Sequence, residues 1–354
     1  MSSDWRTGSR TERFEYQLYG LDFSPRGTLA GVEDCRLQGS VWADVRWGGS
    51  LTWSGSAPVD WPRVMVQPWY VVDGAGQWPL GTFLCKSPET VHHRSVPLGT
   101  QVDLYDVTYV LATRSRLPAP LSLPAGTVAT TAILAQLAAA GVTRYAVTPS
   151  AATLTAPMAW DAGEARLRVV NELAGAIGYW SASADPYGVI TLGPYVDPAS
   201  RPTAWTFAPG EAAIHSPDWT DRCDDFDVPN RLSGVQRVTD GVTPLTYTAT
   251  LDTLDPMSPY TYAARGYWVD GETMRDEDAA SAAALKTAVD RRLLQSAGKV
   301  RDILLSHAWL PEVGLGSVVR FAPDDAVRRA TVSKQEMDLA TGLTVRAEWR
   351  EVTA

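Results

Sequence analysis

From Leu343 to Arg350 apolar and polar residues alternate without a break, with Leu343, Val345, Ala347 and Trp349 on one side and Thr344, Arg346, Glu348 and Arg350 on the other. A period of two belongs to a strand with one face in a core and the other in water. Upstream, Val327 to Met337 reads as extended and runs into Ala340-Thr341-Gly342, where the glycine can take the positive φ of a tight hairpin. Leu315-Gly316-Ser317-Val318-Val319-Arg320-Phe321 forms another strand signal, closed by a corner at Pro323-Asp324-Asp325.

An echo of this block lies 235 positions earlier, where Leu80-Gly81-Thr82-Phe83 is followed by a corner at Pro88-Glu89 and an alternating stretch from Gln101 to Leu111. Tyr105, Val107, Tyr109 and Leu111 share one side of that stretch. The echo is compatible with one β-domain present twice, and equally with the ordinary punctuation of strands by leucine, glycine and proline. Further strands are predicted at Phe14–Tyr19, Cys35–Trp47, Ser50–Ser54, Val64–Val72 and Gly81–Lys86, with a hairpin turn at Trp47-Gly48-Gly49.

Prolines from Leu117-Pro118-Ala119-Pro120 to Pro124 end this region, because they fit neither a helix interior nor a central strand. The next segment changes period. A helix capped by Thr127 is predicted from Val128 to about Ala140, with Gly141 as its stop. A second, about Glu164 to Ile177, carries Leu167, Val170, Leu173 or Ala174, and Ile177 on one stripe. A hairpin follows around Ala184-Asp185-Pro186-Tyr187-Gly188. Pro198, Pro202, Pro209 and Pro217 mark an irregular connector, and strands resume at Arg231–Val238 and Leu245–Leu251. A last helix is expected from about Asp276 to Ala297, with Ala282, Leu285, Val289 and Leu293 packing across the sheet that the final strands complete.

The expected fold is therefore α+β and mainly β. Residues 1–116 form a first β-barrel-like domain and 117–200 a small α+β insert. Residues 201–229 form a proline-rich acidic connector, and 230–354 a second β-barrel-like domain with the helix 276–297 packed on its sheet.

Composition narrows the function. At 354 residues and 45% hydrophobic content the chain can build more than one core. A net charge of −9 argues against a surface that clamps nucleic acid, since phosphate contacts require clustered lysine and arginine. Cys35, Cys85 and Cys223 are odd in number and in no metal-ligand spacing, so buried free thiols are expected. The charged stretch Met1–Gly20 is no secretory leader, and no window has the roughly 18 apolar residues of a membrane helix. Synthesis and folding in a cytoplasm are expected.

Catalytic signatures are missing from the residue order. There is no phosphate-binding loop, Gly74-Ala75-Gly76 lacks the third glycine of a dinucleotide fingerprint, and neither a zinc-protease helix nor a nucleophile elbow occurs. His92-His93 lies in a corner between strands, where neighbouring side chains point to opposite faces and would not chelate one metal. His215 in the connector and His307 before Trp309 suit packing better than acid–base work. Asp218, Asp221, Asp224, Asp225 and Asp227 could gather a cation, but the glycine and terminal glutamate of the helix-loop-helix calcium pattern are absent. A solvated connector is the simpler reading. No catalytic residue, metal ligand or cofactor is assigned.

Fourteen tryptophans, among them Trp42, Trp47, Trp53, Trp61, Trp69 and Trp78, suit core or subunit contacts, or platforms for sugars. Their alternation with polar residues fits the first use better.

In order and spacing, Trp78-Pro79-Leu80-Gly81-Thr82-Phe83-Leu84 before Ser87-Pro88, the segment Leu167–Tyr195, Asn230-Arg231-Leu232, Arg265-Gly266-Tyr267, Arg291-Arg292-Leu293-Leu294 and Leu315-Gly316-Ser317-Val318-Val319 resemble the tail-tip and baseplate hub proteins of long-tailed bacteriophages. This family includes the N-terminal hub part of tail-associated lysins. The resemblance implies a non-enzymatic virion protein at the tail tip, assembled in the host cytoplasm. It implies a homotrimer whose six barrel-like domains form a pseudo-hexameric ring that adapts a sixfold tube to a threefold tip. Implied partners are a distal tail ring protein, the tape-measure protein and tail-tip fibre or spike proteins, with DNA only in transit; an acidic wall would repel it. The chain ends at Ala354, just after its final strand, so wall cutting and receptor binding are expected of other chains. A hexameric distal-tail adaptor, a carbohydrate-binding adsorption protein and a glycosidase are the competing readings.

Overall fold

The period-two segments become strands of one large sheet in a computed structural model that describes residues 10–56, 58–93, 96–210, 213–223, 225–236, 243–277, 282–296, 301–323, 327–340 and 342–352. The chain divides into two compact units, the first made of Met1–Trp219 with Leu304–Trp349 and the second of Thr220–Ile303 with Arg350–Ala354.

Eight strands open the chain: β1 (Glu12–Gly20), β2 (Pro25–Thr28), β3 (Val32–Ser40), β4 (Trp47–Trp53), β5 (Val64–Val72), β6 (Gly76–Pro79), β7 (Phe83–His93) and β8 (Val96–Asp106). The predicted turn at Trp47-Gly48-Gly49 is instead the start of β4. Its glycines answer a crowding problem, since a Cβ on Gly49 would lie 1.9 Å from the Arg36 carbonyl oxygen of β3. The strand predicted to reach Leu111 stops at Asp106, whose carboxylate accepts from the Thr108 amide and from the Trp47 amide and so turns the chain. Val107, Tyr109 and Leu111 are still buried, but in the core beneath the following segment.

That segment holds β9 (Leu121–Leu123), α1 (Ala129–Ala139), β10 (Tyr145–Val147), β11 (Met158–Trp160), α2 (Arg166–Ala176), β12 (Ser183–Ala184) and β13 (Ile190–Leu192). Ile133 and Leu137 of α1 meet Leu167, Val170 and Leu173 of α2, and the same core takes in Met65 and Leu84 from β5 and β7. Thr127 does not cap α1: its hydroxyl donates to the Pro124 carbonyl at 2.8 Å, and Val128 occupies the cap position without a side-chain bond.

After β14 (Thr203–Phe207) and β15 (His215–Cys223), the second unit contributes β16 (Arg231–Gln236), β17 (Thr246–Thr250), short helices α3 (Leu251–Leu254) and α4 (Tyr262–Arg265), β18 (Met274–Glu277) and α5 (Ala282–Ser296). The helix predicted from Asp276 is described from Ala282 onward, residues 278–281 lying outside the described residues. Asp276 and Glu277 belong to β18, and the predicted end at Ala297 lies outside the described residues. Leu285, Val289 and Leu293 are buried as expected, while Ala282 is exposed. Their partners differ from expectation. The stripe packs with Leu232 of β16 and Ala249 of β17 instead of on the C-terminal strands, and Gly234 lets it approach, since a Cβ there would lie 2.3 Å from Val289.

The chain closes with β19 (Arg301–Ala308), β20 (Val318–Phe321), β21 (Arg328–Asp338) and β22 (Thr344–Glu351). Leu343, Val345, Ala347 and Trp349 are buried and Thr344 and Arg346 exposed, as the alternation demands. Part of each predicted corner, Asp324-Asp325 and Thr341, falls outside the described residues.

The large sheet runs β15-β19-β22-β21-β3-β4-β8-β7-β5-β1-β2, with β20 on β21, β14 on β20 and β6 on β5. It is continuous through β21 and β3, which pair antiparallel from Lys334 opposite Ser40 to Asp338 opposite Arg36. The path among the described residues is open, and it joins the strands of the N-terminal and C-terminal β-rich regions in one sheet. The 235-position echo has a structural counterpart: β7 begins at Phe83 and β20 at Val318, 235 residues later, each after a glycine of positive φ, Gly81 and Gly316.

Candidate assembly surfaces

Chemistry has to be sought first where the sequence placed its titratable groups. His307 on β19 and His215 on β15 flank Phe207, their ring centroids 5.0 and 6.3 Å from its own, and Trp349 and Phe321 complete the aromatic cage. Each histidine donates through Nδ1 to the carbonyl of the next residue, Ser216 or Ala308, at 2.8 Å. Both Nε2 atoms are buried without a hydrogen-bond partner. Burial pushes the His307 pKa down to about 4, with nearby His215 acting in the same direction. His307, 2% exposed and packed against Phe207 and Trp349, offers a substrate no open side from which to lose a proton to it. His92 is exposed on β7, opposite Pro97 of β8, and the side chain of His93 lies outside the described residues.

The described aspartates do not converge. Asp218 and Asp221 stand on β15, Asp225 and Asp227 are exposed beyond it, and Asp224 lies outside the described residues. Asp221 accepts from Arg301 at 3.5 Å. Among the described residues no three His, Cys, Asp or Glu side chains gather as metal ligands. Cys35 and Cys85 are buried, as expected, and burial raises both thiols, Cys85 to about 12; Cys223 is exposed, against expectation, because its segment of β15 covers no core.

Asp106 was not visible as special in the sequence, yet it is buried, and burial raises its pKa. Its Oδ1 accepts from the Thr108 amide at 2.8 Å and from the Thr108 hydroxyl at 2.5 Å, and its Oδ2 accepts from the Trp47 amide at 2.9 Å. With its oxygens engaged by the fold, this carboxylate holds a chain reversal.

Surfaces are more informative. Trp53, Trp61, Trp160, Trp309 and Trp349 are buried, in keeping with a core role, while Trp42 is 62% exposed. The β7–β8 hairpin presents Val91 and Leu98, both more than half exposed. In the second unit Phe226 (72%) and Met257 (91%) stand in solvent, and Trp268 stacks with Tyr262, ring centroids 4.7 Å apart, and has the Arg231 guanidinium 4.9 Å from its ring centroid. The sheet ends on β2 and β15, whose outer edges pair with no other strand among the described residues. Open edges and large exposed apolar side chains are where further chains attach. Among the described residues no helix is long and apolar enough to cross a membrane.

No protein-family profile and no curated protein sequence matches this chain. Solved structures do. The fold is similar to that of the tail protein from Neisseria meningitidis MC58, at 12% identity and a TM-score of 0.67, over 96% of each chain. It is also similar to the 43 kDa tail protein of prophage MuSo2 from Shewanella oneidensis, at 9% identity and 0.64, over 95% of this chain and 98% of that one. A type VI secretion system component of Escherichia coli, described as structurally similar to the T4 bacteriophage tail proteins gp27 and gp5, matches at 11% identity and 0.50, over 97% of this chain and 77% of that one. At these identities the likeness is one of fold, and it spans nearly the whole chain.

Proposed function

We propose that the protein is a structural component of a phage-type tail, acting as a tail-tip hub. The observation that carries this reading is the end-to-end match to tail proteins, covering 96% of both chains in one case. In this reading three copies form a ring around a channel, and residues 1–116 and the C-terminal strands within 230–354 supply its alternating walls. The insert 117–200 packs outside the ring, and 201–229, read from the sequence as an irregular connector, also carries β14 and β15 of the large sheet. A threefold ring of two related halves offers six comparable surfaces to a sixfold tube, and the shared 235-residue offset of β7 and β20 supports two related halves. The net charge of −9 suits a conduit that DNA crosses without sticking. Partners are a distal tail ring, the tape-measure protein and tip fibres or spikes, and the protein resides at the virion tail tip without enzymatic activity.

Electron microscopy of the assembled particle, with solution mass as a first measure, tests the proposal. Three copies around the tail axis are expected. Six copies per tip, or copies on the outside of the tail, would instead favour a distal-tail adaptor or a sugar-binding adsorption protein.

A further inference from the structure

Three segments of the first unit meet at Trp180: the turn before β4 carrying Arg46, the stretch between α2 and β12, and the loop that ends at Arg201. The Cζ atoms of Arg46 and Arg201 lie 5.9 and 5.4 Å from the Trp180 ring centroid. Both arginines line a pocket of about 230 Å³, together with Trp180, Ser181 and Leu315. Among the described residues no aspartate or glutamate lines it.

The donors around this pocket outnumber their acceptors. Arg46 Nη2 donates to the Ser181 carbonyl at 3.1 Å and hydroxyl at 2.9 Å. Arg201 Nε donates to the Val196 carbonyl and Nη1 to the Gly316 carbonyl, each at 2.8 Å. Arg46 Nε and Arg201 Nη2 remain buried with no hydrogen-bond partner. The one carboxylate whose charge acts on Arg46, that of Asp106, is engaged by Trp47 and Thr108. Burial lowers the pKa of Arg46 and the Asp106 charge offsets only part of this; a guanidinium does not give up its proton in a protein, so two permanent cations share one carboxylate that does not line the pocket. Thr191 donates to the Ser183 carbonyl, and the Ser183 hydroxyl to Thr191, so neither hydroxyl proton is spare. Ser181 Oγ accepts from Arg46 and keeps its own proton to donate.

We propose that this pocket binds an oxyanion, held between the Arg46 and Arg201 guanidiniums with Ser181 Oγ as a third donor. A set of donors without a carboxylate acceptor suits phosphate or carboxylate and disfavours a neutral sugar, which needs both kinds of group. The same chemistry can arrive as a free inorganic anion or as the carboxylate of a neighbouring chain.

The test uses the full chain, with sodium phosphate as probe against sodium chloride at equal ionic strength. Phosphate is expected to raise the unfolding midpoint saturably, by about 2–4 °C, where chloride does not. Arg201→Met removes that response. Because Arg201 also holds two backbone carbonyls, Ser181→Asp is the second variant: a carboxylate built into the pocket should raise the midpoint without phosphate and abolish the phosphate response. Sodium acetate separates the sources. A response equal to that of phosphate supports a carboxylate ligand, and a response to phosphate alone supports a free tetrahedral anion. If phosphate shifts the midpoint no more than chloride does, or if Ser181→Asp still responds to phosphate, the proposal fails.

Discussion

Met337 of β21 stands directly opposite Leu37 of β3, and both side chains are buried. About 300 residues of chain separate them, so this pairing joins the N-terminal and C-terminal strands into one sheet. Leu37→Ala should destabilise the first unit by about 2–5 kcal/mol, because a fully enclosed site cannot collapse around the lost atoms. Thermal and denaturant unfolding measure the effect. A wild-type midpoint would mean that the β3–β21 seam bears little of the unit's stability.

Trp349 is fully buried against Phe207, with ring centroids 4.8 Å apart. Trp349→Ala is expected to cost about 3–5 kcal/mol. Trp349→Phe should cost less, because it also removes an indole N–H that is buried without a partner. Comparing the two variants by chemical denaturation separates lost packing from the polar burden.

His307 makes stability depend on pH. Its folded pKa is about 4, against about 6.5 in the unfolded chain. Between these values the unfolded chain binds a proton that the native one refuses. The contribution is therefore complete above pH 6.5 and falls as pH drops towards 4, by about 3 kcal/mol over that window. His307→Phe should flatten this part of the stability profile relative to wild type, as read by urea unfolding at stepped pH. Parallel profiles would show that His307 titrates normally in the native state.

Asn230, one of only two asparagines, is fully buried and organises the second unit. Its Nδ2 donates to the carbonyls of Tyr260 and Tyr267 at 2.9 and 3.0 Å, and its Oδ1 accepts from the Val269 amide at 2.8 Å. Asn230→Ala leaves three backbone groups without this partner and should destabilise the second unit by about 2–5 kcal/mol. Hydrogen exchange should quicken at the Val269 amide first. Unchanged protection there would show that water replaces the side chain at little cost.

The purified chain is expected to turn over neither peptidoglycan nor polysaccharide. His307 is neutral and caged, and the oxygens of Asp106 are engaged by the fold. Hydrolysis that disappears on replacing a single carboxylate would overturn this expectation.

How much could be read without coordinates follows from the range of each interaction. The alternation at Leu343–Trp349 and the stripe Leu285-Val289-Leu293 determined strand, helix and buried face alike, because backbone geometry sets those periods within a few residues. The extended β5 segment, Val64–Val72, was legible for the same reason. Local order does not carry pairing partners. That β21 meets β3, that Gly48 and Gly49 admit a neighbouring strand instead of making a turn, and that α5 packs on β16 and β17 depend on which distant segments come to lie side by side. The meeting of Arg46, Trp180 and Arg201 is decided the same way. Each of those residues is unremarkable among its sequence neighbours, and only tertiary folding, by bringing two permanent cations onto one indole beside a pocket whose described lining has no carboxylate, gives them a shared electrostatic requirement.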